Sequence, residues 1–221
     1  DYNMAKNADC DVLFAPSREE MYSKDNSTVV SVGELSKLFE GKFRPQFFDG
    51  VATVVAKLFN AAMPNKAFFG QKDYQQSLVV KKLSSDLNFG VEIVVCPIVR
   101  ESNGLAMSSR NKYLTEEEKN KAKILFQSLV ATKEFIEKGE KNRKKINAYL
   151  QENLRKLETL KIDYALAADA TNLSEPSEFE EGNEVVLLLG TILGKTRLID
   201  NMVVKIPVQK YNPDNRFEEG L

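Results

Sequence analysis

The chain has 221 residues, of which 43% are hydrophobic, and its 31 basic and 32 acidic residues give a formal net charge of −1. With this balance the chain has no strong net electrostatic field that would attract it to nucleic acid or an anionic membrane. Any site that binds an anion must therefore be formed by a local group of residues. No apolar run approaches the length of a membrane span, and the first six residues lack the blocks of a signal peptide, which predicts a cytoplasmic protein. The sequence contains no histidine, which excludes nucleophile–histidine catalysis and histidine-bearing zinc sites within this chain.

The first part of the sequence alternates short apolar runs with polar turns. These patterns predict a short buried strand at residues 11–16, a β-branched strand at residues 28–32 and a short helix at residues 33–40. From Val51 to Ala62 the apolar residues recur at helical spacing, which predicts a core helix.

A strand, a helix and a second strand are predicted next, at residues 66–69, 73–87 and 91–99. The last of these is nearly all apolar, which is typical of a parallel strand buried on both faces of a doubly wound sheet. The fold class is therefore predicted to be α/β. Ligands bind such sheets at the carboxyl ends of the strands, where the turn after Gly70 and the loop at residues 100–110 should converge.

The turn between that first strand and its helix carries residues suited to a phosphate ligand. Gly70 allows close approach of a ligand to the backbone, and Lys72 offers a positive charge. Asp73 at the predicted helix start leaves Gln76 on the first helical turn, beside free backbone donors. The alternative is a plain corner with a capping box, in which Asp73 accepts from the Gln76 amide and Gln76 reaches back. These residues alone favour the capping box, because polar turns of this kind are common.

The loop after the second strand contains Met107, Ser108, Ser109 and Arg110 in succession. Two hydroxyls and a guanidinium suit charge-assisted hydrogen bonds to a polyphosphate that loses pyrophosphate. The alternative is an exposed linker between domains. The position of the loop after a buried strand, together with Lys72, favours a ligand site.

From Thr115 the pattern changes to two long charged helices, followed by short strands at residues 162–168, 185–189 and 197–204. This predicts one domain at residues 1–99, a smaller helix-plus-antiparallel-strand lid domain at residues 100–205 and a polar tail at residues 206–221. Three lysines in the helical part could form a nucleic-acid patch, but no aromatic residues interleave with them, which favours a solvated helical face. The segment at residues 196–201 is interpreted as mainly structural.

Three sequence blocks, in this order and spacing, resemble the pantothenate synthetase family. They are Arg44-Pro45 with residues 48–60 (FDGVATVVAKLFN), residues 68–76 (FFGQKDYQQ), and Arg100-Glu101 with residues 104–111 (GLAMSSRN). The resemblance implies a Rossmann-like nucleotidyltransferase domain and a cytoplasmic homodimer. It also implies an ATP- and Mg²⁺-dependent ligase that activates pantoate as an adenylate, releases pyrophosphate and lets β-alanine attack to give pantothenate and AMP.

The resemblance also implies roles for individual residues. Lys72, Ser108, Ser109 and Arg110 would be catalytic, Gln76 would bind pantoate, and Asp1 holds the spacing from Asp11 of an acidic residue in the family's magnesium group. The residues that would bind ATP are Gly70, Gln71, Lys72, Asp73, Val99, Met107, Ser108, Ser109 and Arg110.

The sequence departs from the family pattern in three places. Where the family usually has R-P-G-H-F, this chain has Gln46 and Phe47 in place of the glycine and histidine, and Asn103 replaces an acidic residue before Gly104. The family also carries an H-x-G-H motif in a section before Asp1, and we expect the chain to lack that section. Two alternatives to this activity are therefore a nucleotide-binding core without catalytic activity, or another adenylyl or cytidylyl transferase of the same fold.

Overall fold

The computed structural model describes residues 2–208, which form seven helices and five strands. In chain order the helices are α1 (Tyr2–Asn7), α2 (Arg18–Met21), α3 (Glu40–Phe43), α4 (Phe47–Ala62), α5 (Tyr74–Asp86), α6 (Glu116–Glu137) and α7 (Arg143–Arg155), and the strands are β1 (Lys66–Gly70), β2 (Glu92–Cys96), β3 (Leu160–Asp169), β4 (Glu184–Leu193) and β5 (Thr196–Lys205). Short 3-10 turns lie at Gly33–Lys37, Gln71–Asp73 and Ser109–Tyr113. In this part of the chain, no helix is both long and apolar enough to cross a membrane.

The predicted parallel unit is formed by β1, α5 and β2. The two strands pair in parallel, with Phe68 opposite Val94 and Gly70 opposite Cys96. Helix α4, predicted from its apolar spacing, is confirmed and shares one hydrophobic core with α5 and the two strands. Because only the turn Gln71–Asp73 separates β1 from α5, that turn lies at the carboxyl end of the sheet.

Three strand predictions need correction. Residues 11–16 and 28–32 are irregular, and Val12 is 79% exposed where a buried side chain was expected. A β-branched run becomes a strand only where a neighbouring strand offers a hydrogen-bond ladder, and here the Val30 amide donates to Thr53 Oγ1 (2.9 Å) instead. The run at residues 91–99 does form a parallel strand, but only over Glu92–Cys96, and it is half-buried.

The helix predicted at residues 33–40 is broken into the 3-10 turn Gly33–Lys37 and the short α3. The break falls at Phe39, whose φ of +33° lies outside any regular helix. Phe39 is 3% exposed and packs into the core with Leu78 of α5. Burial of this large side chain outweighs the local preference for a continuous helix.

The carboxyl-terminal half places α6 and α7 against an antiparallel sheet of order β3-β4-β5. Helix α6 begins at a capping box, in which Thr115 Oγ1 accepts from the Glu118 amide and the Glu118 carboxylate accepts from the Thr115 amide. The three predicted strands are confirmed, and each is longer than predicted.

A third hydrophobic cluster joins the two halves of the molecule. It contains Phe39 and Leu78 together with Ala168 of β3 and Val186 and Leu188 of β4. In addition, the Tyr74 hydroxyl at the start of α5 donates to the Ala170 carbonyl (2.7 Å). The beginning of α5, and with it the turn Gln71–Asp73, is therefore fixed against the antiparallel sheet.

Candidate active site

The turn Gln71–Asp73 is held in place by one residue of β5. Asn201 Nδ2 donates to the carbonyl oxygens of Gln71 (2.9 Å) and Lys72 (3.0 Å), and Asn201 Oδ1 accepts from Gln71 Nε2 (3.2 Å). A Cβ added at Gly70 would meet no atom within 4 Å, so the space beside the start of the turn is open. The turn thus has a fixed backbone on one side and free space on the other.

Lys72 lines two cavities at this end of the sheet. The first, here called the Gln76 cavity, has a mixed polar and aromatic lining of Glu40, Arg44, Phe47, Phe48, Lys72, Asp73, Tyr74, Gln75, Gln76, Tyr164, Leu188, Ile199, Asp200 and Asn201. The second, the smaller Ser108 cavity, is lined by Lys72, Leu105, Ala106, Ser108, Asn111, Leu125, Arg197, Leu198, Ile199 and Asp200. Lys72 and Ser108, from the two segments expected to converge, therefore meet at one cavity.

Two cationic side chains of these segments, Lys72 and Arg110, have no partner among the described residues. Within residues 2–208, neither the Lys72 ammonium nor the Arg110 guanidinium forms an ion pair or a hydrogen bond. By contrast, Arg100 and Arg197 are both bound to carboxylates. Free cations at the carboxyl end of a parallel sheet are available to an anionic ligand.

The loop that carries Ser108 and Arg110 folds back onto the segment that follows β2. The Met107 amide donates to the Val99 carbonyl (2.9 Å), and Arg100 forms an antiparallel bridge with Ala106. Ser108 precedes the 3-10 turn Ser109–Tyr113, and its Oγ accepts from the Arg110 amide (3.2 Å). The loop is thus an ordered turn that is stabilised by its own hydrogen bonds. It is not an extended linker.

Three other residues predicted on this loop are exposed. Val99 is 67% exposed and Met107 is 55% exposed, and Ser109 is also exposed. None of these three, nor Arg110, lines the Gln76 cavity or the Ser108 cavity. Ser108 is thus the residue predicted on this loop that lines the Ser108 cavity with Lys72.

The alternative of a capping box at the start of α5 is not formed. Asp73 occupies the N-cap position without a side-chain cap hydrogen bond, and the Gln76 side chain forms no hydrogen bond within the described part of the chain. The neighbouring Gln75 is the structural residue, since its amide binds the carbonyls of Leu35 and Leu38 at 2.8 and 2.9 Å. Asp73 and Gln76 therefore keep free polar groups at the Gln76 cavity.

Sequence reasoning missed two residues of the site, Asp200 and Asn201. They are 3% and 2% exposed, and both line the Gln76 cavity. Asp200 binds Arg100 through two hydrogen bonds, at 2.6 and 2.9 Å, at the start of the loop that leads to Ser108. The segment at residues 196–201, predicted to be mainly structural, thus also contributes to the cavity lining. Two adjacent polar residues inside an otherwise apolar strand break its alternation, and this signal could have identified them.

Two tyrosines beside the Gln76 cavity remain neutral well above physiological pH. Burial, aided by the nearby carboxylates of Glu184 and Asp169, raises the pKa of Tyr74 to about 12. Burial and the adjacent Glu40 carboxylate raise the pKa of Tyr164 above its ordinary value. Both hydroxyls are therefore hydrogen-bond donors and not bases at neutral pH.

The residue predicted for a metal, Asp1, lies outside the described residues. Within residues 2–208, no group of three or more acidic or cysteine side chains is placed to hold a metal ion. The Asp73 carboxylate is exposed and makes no side-chain cap hydrogen bond. A single carboxylate of this kind suits Mg²⁺, which proteins usually bind through one or two carboxylates and the phosphates of a substrate.

The parallel unit, the polar turns at its strand ends and the antiparallel sheet beside them define an α/β protein with a candidate ligand site at the carboxyl ends of parallel strands. Comparison with known proteins identifies the family. The sequence model of the pantoate-beta-alanine ligase family matches residues 1–203. The chain belongs to this family and is a ligase, which confirms the family predicted from the three sequence blocks.

Individual relatives agree with this assignment. The pantothenate synthetase of Caldicellulosiruptor bescii is 48% identical over 205 residues, which are 93% of this chain and 72% of that protein. The crystal structure of pantothenate synthetase from Thermus thermophilus has a TM-score of 0.85 at 39% identity, covering 94% of this chain and 74% of that one. The α/β fold class is thereby confirmed.

A third relative was solved with ligands. It is the pantoate-beta-alanine ligase of Francisella tularensis, complexed with beta-gamma ATP and beta-alanine. Its TM-score is 0.67 at 30% identity, and the match covers 92% of this chain and 68% of that chain.

Proposed function

We propose that this protein binds ATP and joins pantoate to β-alanine through a pantoyl adenylate. A pantoate carboxylate oxygen attacks the α-phosphorus of ATP; the bond from that phosphorus to the bridging oxygen breaks, and pyrophosphate leaves. The β-alanine nitrogen then attacks the acyl carbon, the bond to AMP breaks, and the amine gives up its proton. The observation that carries this proposal is that Lys72 and Ser108 line one cavity, and that Lys72 and Arg110, on the two segments, have no ion-pair partner within residues 2–208.

The charges required by the first step fit the residues of the two segments. Negative charge builds up on the departing pyrophosphate, and Lys72 and Arg110 are cations without a protein partner in the described residues. Ser108 and Ser109 add hydroxyl donors, and the open space beside Gly70 leaves room for a phosphate against the backbone. No covalent enzyme intermediate is required, because positioning and charge supply the catalysis.

The remaining ATP contacts are assigned to residues beside these groups. Gln71 and Asp73 flank Lys72 on the turn, and Val99 and Met107 are exposed apolar side chains at the base of the loop. Exposed apolar side chains beside a phosphate site suit the flat faces of a base or the edge of a ribose. We assign all four to ATP binding.

The Gln76 cavity suits the acid substrate. Pantoate combines a carboxylate and two hydroxyls with a carbon that carries two methyl groups. The free amide of Gln76 offers donors and an acceptor to the polar groups, and Phe48 and Leu188 offer apolar surface to the methyl groups. Lys72 lines this cavity as well, so an acid held there lies beside the proposed phosphate site.

Magnesium would arrive with the ATP phosphates, and Asp73 is the carboxylate on this turn that fits it. Bound there, Mg²⁺ would neutralise charge on the phosphate oxygens.

We further propose a division into residues 1–99 and a lid of residues 100–205, supported by two separate hydrophobic cores. A homodimeric, cytoplasmic enzyme is also proposed on the family resemblance, and sedimentation of the purified protein tests the dimer.

The test of the ATP site compares two lysines of the parallel unit. Lys72→Ala should weaken ATP binding by about 10- to 100-fold, since a charge-assisted contact contributes roughly 1.5–3 kcal/mol. Lys66→Ala is the matched control, because Lys66 lies at the other end of β1, where it pairs with Glu92 (3.0 Å). Calorimetric titration with ATP should show a loss for Lys72→Ala alone. Equal affinities for the two variants would refute the proposed site.

A further inference from the structure

Two adjacent residues of β5, Asp200 and Asn201, connect both segments of the proposed ATP site. Asn201 uses both of its amide hydrogens on the carbonyls of Gln71 and Lys72, and its oxygen accepts from the Gln71 side chain. The side-chain amide of Asn201 therefore has three hydrogen bonds, all to the turn Gln71–Asp73.

Asp200 makes the corresponding contact to the loop. Its carboxylate binds both terminal nitrogens of Arg100, with side chains 2% and 18% exposed, and it also accepts from the backbone amide of Asn201 (2.7 Å). The same Arg100 guanidinium donates to the Gly104 carbonyl (3.0 Å). Asp200 thereby fixes the start of the loop that carries Ser108 and Arg110.

We propose that Asn201 is a positioning residue for Lys72, and that Asp200 and Asn201 together set the spacing between the two ATP-binding segments. This inference rests on the proposed function. The turn has only three residues, so the direction of the Lys72 side chain follows from where its backbone is held. A displacement of about 1 Å in a group that contacts substrate can cost a hundredfold in rate.

The contacts favour positioning over a purely structural role. A buried polar side chain that serves stability alone can be replaced by an apolar one at little cost when its partners are replaced too. Here the partners of Asn201 are the backbone carbonyls of Gln71 and Lys72, and these cannot be replaced by mutation. The side chains of the same two residues are the ones assigned to ATP. Its loss should therefore change ATP affinity through Lys72.

The experiment is a double-mutant cycle on ATP affinity, measured by calorimetry with Asn201→Ala, Lys72→Ala and the double variant. Asn201→Ala alone should raise the Kd for ATP about tenfold, which corresponds to about 1.4 kcal/mol. In the Lys72→Ala background the same change should shift the Kd by less than about twofold, because the two effects share one contact. A structural role would give equal losses in both backgrounds.

A second asparagine provides the control. Asn153 on α7 is 9% exposed and bonds to Tyr149 and Lys156, without contact to the turn. Asn153→Ala should lower stability and leave ATP affinity unchanged. If Asn201→Ala does not fold, Asn201→Ser replaces it, since Ser stays neutral and polar but cannot donate to both carbonyls, and the same loss of affinity is expected.

The outcomes separate the two proposals. Unchanged ATP affinity in a folded Asn201 variant, or an equal loss in both backgrounds, would overturn the positioning role and leave the effect of Lys72→Ala intact. If Lys72→Ala itself has no effect on ATP affinity, the proposed ATP site fails and the positioning role fails with it.

Discussion

Arg197 of β5 donates through one terminal nitrogen to both carboxylate oxygens of Glu40 on α3, at 2.7 and 2.8 Å. The side chains are 20% and 9% exposed. The same guanidinium donates to Asp163 (2.8 Å), and the Tyr164 hydroxyl donates to Glu40 (3.2 Å). This network links the segment before the parallel unit to the antiparallel sheet, on one side of the Gln76 cavity.

Removal of Glu40 should therefore be costly. Glu40→Ala leaves Arg197 partly unpaired in a mostly buried position, and breaking such a pair costs about 3–5 kcal/mol of unfolding free energy. The control is Glu34→Ala, which removes an ion pair with Lys37 whose side chains are 84% and 67% exposed. Urea unfolding should show a large loss for the first variant and no measurable change for the second. Equal small changes would mean that the network does not hold the two parts together.

Adjacent glutamines of α5 should have different roles. Gln76→Ala should weaken pantoate binding about tenfold and change ATP affinity by less than about twofold, because its amide is free at the cavity. Gln75→Ala should instead reduce stability by about 1–3 kcal/mol, since it removes the hydrogen bonds to the Glu40 amide and to the Leu35 and Leu38 carbonyls. Calorimetry and urea unfolding distinguish these outcomes. Equal losses for both ligands in Gln76→Ala would indicate a collapsed site.

The position where this chain departs from the family's R-P-G-H-F pattern adopts a glycine-like conformation. Gln46 has φ +65° and ψ −3°, the left-handed region. Gln46→Gly should therefore stabilise the protein by about 1 kcal/mol, the usual cost of such a conformation for a side chain. Ala148→Gly, at an exposed position in the middle of α7, should have the opposite effect, about 1 kcal/mol of destabilisation. Thermal unfolding of both variants checks the prediction, and a lower Tm for Gln46→Gly would contradict it.

The elements with local signals could be predicted from sequence. Helix α4 follows from its apolar spacing, the start of α6 from Thr115 and Glu118, and β3 to β5 from their short apolar runs. Residues 11–16 and 28–32 have the same kind of apolar pattern without a paired neighbour in the described structure. Strand formation depends on a distant partner, which the local pattern does not contain.

The same limit applies to the site. Lys72 and the loop residues carry functional groups in recognisable turns, so their chemistry was visible in the sequence. Asn201 contacts Gln71 from 130 positions away, and that contact exists only once β5 lies beside the turn. Nothing local to Asn201 indicates which backbone groups it binds, although its polar character within a strand is a signal.

Stability should fall at high pH partly because of Tyr74. Its pKa is about 12 in the folded protein, mainly through burial, against 10.0 for an ordinary tyrosine. A raised pKa contributes stability that is complete below the unfolded value and is lost as pH rises from 10 toward 12. Tyr74→Phe should remove this contribution, so its unfolding free energy should decline less steeply over that interval. Urea titrations at several alkaline pH values measure the two slopes, and identical slopes would contradict the assignment.

The central claim is that Lys72 serves the formation of a pantoyl adenylate. Pantoate-dependent exchange of labelled pyrophosphate into ATP, measured without β-alanine, tests it most directly. We predict exchange that requires pantoate, falls about tenfold or more in Lys72→Ala and is unchanged in Lys66→Ala. Product formation without such exchange, exchange unaffected by Lys72→Ala, or ATP binding with neither exchange nor product would contradict it.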